Sequence, residues 1–180
     1  RTEIVGQSKT KAAFEKAGRM IAVNKRRMTQ AVMYFNQWAP AAEGVDYYAY
    51  QLANYILGGG DFSSRLLNAA RAKGGKTYHI SSRYSVHADY GVLSIITSTR
   101  NEELYNTYQI VKREIERLHK DGISQEELQK AKNYFSGAVP LELESPMQIA
   151  SKILRSFMQG FDINELSQEV INYDNVTVEQ

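Results

Sequence analysis

The sequence predicts an α+β domain in which an antiparallel or mixed sheet has consecutive helices packed on one face. Strand-like runs occupy the first half of the chain and end in a hairpin, whereas every local signal after residue 100 is helical. Strands that precede an uninterrupted run of helices are typical of this class. A chain of 180 residues with 43% hydrophobic composition can bury one sizeable core, so we expect a single compact domain.

Charge and composition exclude several classes of protein. The 22 basic and 20 acidic residues leave a formal net charge of +2, and the basic run 25–27 is too short for a nucleic-acid surface. The absence of cysteine excludes disulfides and cysteine-ligated zinc or iron–sulfur centres. No apolar stretch approaches the roughly 20 residues that span a bilayer. Since Arg1 is not an initiator, we expect an excised piece of a longer polypeptide.

The first strands follow a connecting arm. Residues 1–19 show no sustained period and are predicted to form that arm, so the domain is expected to cover residues 20–180. The runs 20–23 and 30–37 are rich in apolar residues with strand preference, which favours two strands. Pro40 ends the second run because proline cannot donate to a sheet ladder.

Two helices and a hairpin come next. Apolar residues recur at helical spacing after Asp46, and the glycine run 58–60 ends that helix. A second helix is predicted for residues 63–72. The runs 78–84 and 92–98 are strand-like and are joined by a polar turn, which predicts an antiparallel hairpin.

Two longer helices follow the hairpin. An apolar stripe along residues 101–120 ends at Gly122, whose missing side chain suits a helix end. Ser124 and Glu127, three residues apart, form a capping box that opens the next helix.

The end of the chain carries the start signals of further helices. Ser145, followed by proline, is the N-cap of a helix with apolar residues at Ile149, Ile153, Leu154 and Phe157. Asp162 with Glu165 repeats the capping pattern for a short helix that ends near Ile171. Residues 175–180 have the appearance of a segment that leads into another helix.

The motifs of the common hydrolytic sites are missing from the sequence. Zinc hydrolysis needs two histidines and a carboxylate on one helical face, as H-E-x-x-H or H-x-x-E-H, and neither occurs. We expect His79, His87 and His119 to be surface or strand residues that hold no metal. The triplet 75–77 resembles part of a phosphate loop, but the required glycine is replaced by Ala70 and a strand follows. There is no G-x-S-x-G elbow and no thiol nucleophile.

Two features leave a functional and a structural interpretation open. Gly58, Gly59 and Gly60 exceed what a helix end requires, so they either let a backbone approach a ligand or form a flexible connection. Arg71 and Tyr78 lie at the end of a helix and the start of a strand. Either they are an ordinary surface charge and a strand residue, or their guanidinium and phenol both point at one peptide backbone.

An extended pattern of segments resembles the C-terminal-type domain of the pitrilysin/insulinase-type (M16) metallopeptidase family. The resemblance covers about residues 20–180, and it is carried by DYY at 46–48, LANYILGGG at 52–60, FSSRL at 62–66, RAKGGKTY at 71–78 and DGISQEEL at 121–128. Its order of elements agrees with the order that local signals predict. The resemblance therefore implies an M16 metallopeptidase-like α+β domain.

The resemblance also implies a role for specific residues. It implies a clam-shell peptidase whose homologous domains enclose a substrate chamber, with zinc in one domain and an arginine–tyrosine pair in its counterpart. Arg71 and Tyr78 match that pair by position and by their seven-residue separation. The pair is then expected to contact the substrate backbone, with the tyrosine hydroxyl near the carbonyl oxygen that gains charge. We assign Gly58, Gly59 and Gly60 to substrate binding beside them.

We therefore expect the non-zinc, substrate-binding half of a zinc-dependent endopeptidase, which has no cofactor of its own and is inactive alone. Its expected partners are an unstructured peptide and an H-x-x-E-H-bearing domain, in the same gene or in a partner subunit, that holds the zinc. The alternative is a non-catalytic structural subunit, like the core proteins of respiratory complexes. A peptide-binding module that uses a sheet edge shares the geometry of the first hypothesis.

Two smaller expectations complete the prediction. Lys76 stands where the family has an apolar residue, and a cation two residues from Tyr78 favours acidic substrate segments. By analogy with short relatives we expect a bacterial, extracytoplasmic location.

Overall fold

A computed structural model describes residues 20–42, 46–72 and 77–180, without the side chains of Thr77 and Tyr78. Within these ranges the chain forms a three-stranded antiparallel sheet with helices on one face, which confirms the α+β prediction. The strands are β1 (Gln30–Ala39), β2 (Thr77–Val86) and β3 (Gly91–Arg100), and β3 lies between the other two. The predicted arm at 1–19 lies outside the described residues.

Strand register explains why the sheet has one apolar face. Ile80 of β2 pairs with Thr97, and Ile95 pairs with Phe35 of β1 and Ser82 of β2. Because side chains alternate between faces, these positions point to the same side. Ile80 and Ile95 belong to a buried core cluster with residues of the overlying helices. The sheet therefore buries one face under helices.

Two short helices lie in the described residues between β1 and β2. Helix α1 (Tyr47–Asn54) runs into a π-helical turn at Tyr55–Gly59, and a 3-10 turn at Asp61–Ser63 leads to α2 (Arg65–Ala72). Both predicted helices are confirmed. The glycine run does end the first one, but through a widened turn instead of an immediate stop. The predicted closure of the second helix at Gly74 and Gly75 lies outside the described residues.

The second half is the predicted series of helices. They are α3 (Leu104–Asp121), α4 (Gln125–Leu141), α5 (Pro146–Gln159) and α6 (Glu165–Asp174). Gly122 ends α3 with a positive φ of 69°, and Ser124 and Glu127 form the reciprocal capping box of α4. The Ser145 side chain accepts from the Gln148 amide and caps α5. These three end signals are confirmed.

A second apolar cluster joins the two halves of the chain. Leu52 and Ile56 from the first half pack with residues of α4 and α6, including Leu128 and Tyr173. The Tyr173 ring stacks on Phe135 with 4.3 Å between ring centroids. Helices α1, α4 and α6 are thus held together by apolar and aromatic packing.

Two local predictions are wrong. Residues 20–23 are not a strand: Met20, Ile21 and Val23 are exposed, and none of the described strands pairs with them. A four-residue run of apolar residues without a partner strand has nothing to stabilise it.

The predicted capping box before the last helix is also wrong. Helix α6 begins at Glu165 and continues to Asp174, beyond the predicted end near Ile171. The Asp162 carboxylate accepts from the Asn164 amide at 2.7 Å, so it stabilises a turn ahead of the helix.

Within the described ranges, none of the helices has both the length and the apolar composition that spanning a membrane requires.

Candidate functional site

The predicted site residues lie at the end of α2, which carries Arg71, and at the start of β2, which contains Tyr78. Leu66 and Ala70 of α2 pack in one cluster with Ile80 of β2, and Leu66 is fully buried. This shared core fixes the end of α2 relative to the start of β2. Arg71 directly follows Ala70 and is exposed, so it lies at the solvent side of a rigidly packed corner.

An aromatic ring supports Arg71. The guanidinium carbon lies 4.6 Å from the centroid of the Phe62 ring, a cation–π contact. Phe62 is 73% exposed and lies in the 3-10 turn before α2. None of the ion pairs formed by the described residues involves Arg71. The ring thus holds a guanidinium whose N–H donors face no carboxylate in the described part of the chain.

Tyr78 lies at an irregular point of β2. Thr77 pairs with Thr99 and His79 with the adjacent Ser98, so Tyr78 is the extra residue of a β-bulge. Bulges re-aim side chains and occur next to active sites. Because its side chain and residues 73–76 are outside the described set, the approach of Tyr78 to Arg71 stays a prediction.

The glycine run packs against β2. A Cβ added at Gly58 would lie 2.6 Å from the Ser82 amide nitrogen and 2.8 Å from Leu66 Cδ1. The Ser82 hydroxyl donates to Asn54 Oδ1 at 2.8 Å, at the end of α1. Gly58 therefore has a packing role that requires a residue without a side chain.

The other two glycines close the same π-helical turn. A Cβ at Gly59 would lie 2.8 Å from Asn54 Nδ2, and one at Gly60 would lie 2.8 Å from the Tyr55 carbonyl oxygen. Single π-turns in helices are frequent at functional sites. A substrate contact of Gly58, Gly59 or Gly60 stays a prediction.

None of the described helices covers the second face of the sheet, which is exposed along β1. On β1 it carries Tyr34 and Trp38, which are 65% and 50% exposed. Tyr34 pairs across the sheet with Ile96, and Asn36 accepts a 2.8 Å hydrogen bond from Ser94. The face combines aromatic rings with small hydrogen-bonding side chains.

The histidines do not form a metal site in the described part of the chain. His79 Nε2 lies 2.9 Å from Ser81 Oγ, and the His87 ring stacks on Tyr90 at 4.6 Å. His119 lies in the last turn of α3. Within residues 20–42, 46–72 and 77–180, no three histidine, aspartate or glutamate side chains are grouped to hold a metal ion.

Two features of the candidate site were not found from the sequence. Phe62 gave no signal as a partner of Arg71, because the 3-10 turn that carries Phe62 brings its ring to the guanidinium. The uncovered face could have been found, since Val32, Tyr34 and Trp38 are apolar or aromatic at the outward positions of β1.

Comparison with protein families gives a match over most of the chain. A family model described as the peptidase M16 inactive domain matches residues 5–135. An uncharacterized zinc protease of Mycobacterium leprae is 26% identical over 163 residues, which are 91% of this chain and 36% of that protein. A non-peptidase homolog of Helicobacter pylori is 32% identical over 122 residues, 66% of this chain and 27% of that protein. The chain thus spans about a third of the length of these relatives or less.

Solved structures share the fold. The peptidase M16 inactive domain of Pseudomonas fluorescens superposes with a TM-score of 0.77 at 28% identity, over 84% of this chain and 36% of that one.

Proposed function

The chain belongs to the peptidase M16 family, matching its inactive domain, and from that membership we propose that it is the substrate-holding half of a zinc-dependent endopeptidase. In this proposal the zinc is held by an H-x-x-E-H-bearing domain, in the same gene or in a partner subunit. The described residues of this chain offer no donor set for the metal. The chain alone is expected to bind peptide and to cleave nothing.

The observation that carries the proposal is the environment of Arg71. An exposed guanidinium stacked on Phe62, with no ion pair in the described part of the chain, is pre-oriented for an outside acceptor. A peptide carbonyl is such an acceptor. Tyr78 lies in the bulge at the start of β2, the strand that comes after α2 in the chain. A phenol there can donate to the carbonyl oxygen that becomes negatively charged during hydrolysis.

The uncovered sheet face supports the same role. Tyr34 and Trp38 offer apolar surface for the side chains of an extended peptide, while Asn36 and Ser94 offer hydrogen-bonding groups. Holding the peptide in one orientation is the contribution that a non-metal half makes to catalysis.

A peptide-binding measurement tests the proposal. We expect the purified chain to bind a fluorescein-labelled unstructured peptide, followed by anisotropy, and to leave it intact. Arg71→Ala should weaken binding at least about fivefold, the loss of roughly 1 kcal/mol. Arg155→Ala, which removes an exposed arginine from α5, serves as the matched control. Equal binding by the two variants, or cleavage by the chain alone, contradicts the proposal.

A structural role is the second candidate. The Helicobacter pylori relative described as a non-peptidase homolog favours it, because that protein retains the domain under a name that denies peptidase activity. The peptidase role requires a zinc-binding domain as a partner of this chain, whereas the structural role does not. An H-x-x-E-H motif in the same or a neighbouring gene favours the peptidase, and its absence from both favours the structural subunit.

A further inference from the structure

Helix α5 turns its polar side toward the domain and its apolar side toward solvent, which is the reverse of the usual amphipathic helix. Its buried residues are Lys152 and Ser156, whereas Met147, Leu154 and Phe157 are 76%, 60% and 73% exposed. An amphipathic helix on a globular domain normally turns its apolar stripe to the core. The apolar side of α5 is therefore available to something outside the described residues.

Polar contacts attach the inner side of α5 to the domain. Lys152 Nζ lies 3.0 Å from a carboxylate oxygen of Glu142 and 2.6 Å from one of Glu169. Gln159 Nε2 donates to the Val86 carbonyl at 3.3 Å. No residue of α5 belongs to a buried apolar cluster of the described residues. The orientation of the helix is thus fixed by charge and hydrogen bonding, independently of its apolar side.

The exposed apolar residues form one line. Met147, Ala150, Leu154 and Phe157 are spaced three, four and three residues apart, the spacing of a helix–helix seam. At 3.6 residues per turn they share one side of α5 with Met158, opposite Lys152 and Ser156. We call these five residues the α5 stripe. All five are exposed.

The α5 stripe is complementary to itself. If two copies of α5 cross antiparallel at their midpoints near Lys152, Leu154 of one copy faces Ala150 of the other. Phe157 of one copy likewise faces Met147 of the other. A large side chain then meets a small one at the centre, which lets the two helices approach closely. No charged residue lies on the stripe to oppose that approach.

We propose that the α5 stripe is the contact surface between two copies of this chain, paired as antiparallel helices. Four large side chains at about 100 Å² each bury roughly 400 Å² per copy, or about 800 Å² in total, which is below the roughly 1,000 Å² of a stable specific interface and fits only a transient contact. The expected dimer is weak and reversible, with a dissociation constant in the upper micromolar range.

Sedimentation equilibrium of the full chain tests the pairing. We expect a monomer at low micromolar concentration and a growing dimer fraction toward several hundred micromolar. Leu154→Glu should raise the dissociation constant at least about tenfold, because a charge would be buried at the centre of the contact. Tyr105→Glu, at a 70% exposed site on α3, is the matched control and should leave the constant unchanged. Circular dichroism checks that both variants are folded.

Cross-linking tests the antiparallel arrangement. The chain has no cysteine, so a single introduced thiol reports on one position. A mixture of Ala150→Cys and Leu154→Cys chains should be joined by a short bismaleimide more efficiently than either variant with itself. A chain that stays monomeric at all concentrations, or a dimer that Leu154→Glu leaves intact, overturns the proposal. More efficient cross-linking of each variant with itself overturns the antiparallel arrangement.

Discussion

Arg65 and Glu127 form a two-point ion pair across 62 positions of the chain. Arg65 Nε and Nη2 lie 2.6 Å and 2.7 Å from the two carboxylate oxygens of Glu127, and Nη2 also donates to the Gly122 carbonyl at 2.9 Å. The same carboxylate accepts from the Ser124 amide at 2.9 Å as part of the α4 capping box. The first turn of α2 is thereby fixed to the first turn of α4, and Arg71 lies at the other end of the same short helix α2.

Removing the charge of Glu127 should destabilise the fold. Glu127→Gln keeps the shape but loses the bidentate pair with Arg65, whose side chain is only 13% exposed. We expect the free energy of unfolding to fall by about 2 kcal/mol, measured by urea denaturation. Glu126→Gln, in a solvent-exposed pair with Lys130, should lower the free energy of unfolding far less than Glu127→Gln does. Similar losses in the two variants would show that the Arg65–Glu127 pair stabilises the fold no more than the exposed Glu126–Lys130 pair does.

The same carboxylate predicts a pH dependence of stability. The hydrogen bond from Arg65, helped by those from Ser124, lowers the pKa of Glu127 from 4.5 to about 2. Because the folded-state pKa is the lower one, this stabilisation is fully present above about pH 4.5 and is lost as the pH falls toward 2. Glu127→Gln should therefore show a shallower loss of stability in that window. Parallel pH profiles for the two proteins would contradict the assignment.

Local signals predicted the helix ends at Gly122, Ser124 and Ser145, but they did not predict the long-range contacts. Ser124 and Glu127 are three residues apart, so their capping box can be predicted from the sequence. The partner of Glu127 is 62 residues away, and nothing local points to Arg65. Periodicity likewise identified the apolar positions of α5, including Leu154, but it cannot tell whether the domain or another molecule covers them.

For the candidate site, too, the sequence predicted some residues and could not predict the contacts between them. Spacing alone left Arg71 and Tyr78 open between an ordinary and a functional reading, and the family resemblance selected them. The stacking of Phe62 under Arg71 depends on the 3-10 turn Asp61–Ser63, which carries Phe62 and has no sequence signature of its own. The glycines were recognised as unusual, but the close approach of Gly58 to Ser82 depends on how α1 packs against β2.

Gly58→Ala should destabilise the domain. A methyl group there would lie 2.6 Å from the Ser82 amide nitrogen, so the π-helical turn or β2 must move. We expect a loss of about 2 kcal/mol and a melting temperature lower by several degrees, measured by thermal circular dichroism. Gly137→Ala is the control, because the added methyl group would meet no described atom within 4 Å apart from its chain neighbours and the backbone of its own helix. In mid-helix that change should stabilise by about 0.5–1 kcal/mol. An unchanged melting temperature for Gly58→Ala would contradict the packing role.

Replacing Phe62 should weaken peptide binding indirectly, because Phe62 acts through Arg71 and is not expected to contact the peptide itself. Phe62→Leu keeps an apolar side chain and removes the ring on which Arg71 stacks, a contact worth about 0.5–1 kcal/mol at an exposed site. The dissociation constant for a labelled peptide should rise about two- to fivefold. In an Arg71→Ala background the same change should have no further effect, because the stacked partner is already gone. Additive losses in the double variant would mean that Phe62 acts independently of Arg71.

Tyr78→Phe connects the bulge of β2 to catalysis. The change keeps the ring and deletes one hydroxyl donor, so the fold should be retained while the transition state loses a hydrogen bond. With the chain mixed or fused to its zinc-bearing half, kcat for an unstructured peptide should fall by about 10²–10³, or roughly 3–4 kcal/mol. Arg71→Lys keeps the charge but loses the planar fork, so it should mainly raise KM. The zinc content of the partner should be the same in all samples. Cleavage at the unmutated rate by both variants would remove this pair from the mechanism and leave the structural role as the better account of the domain.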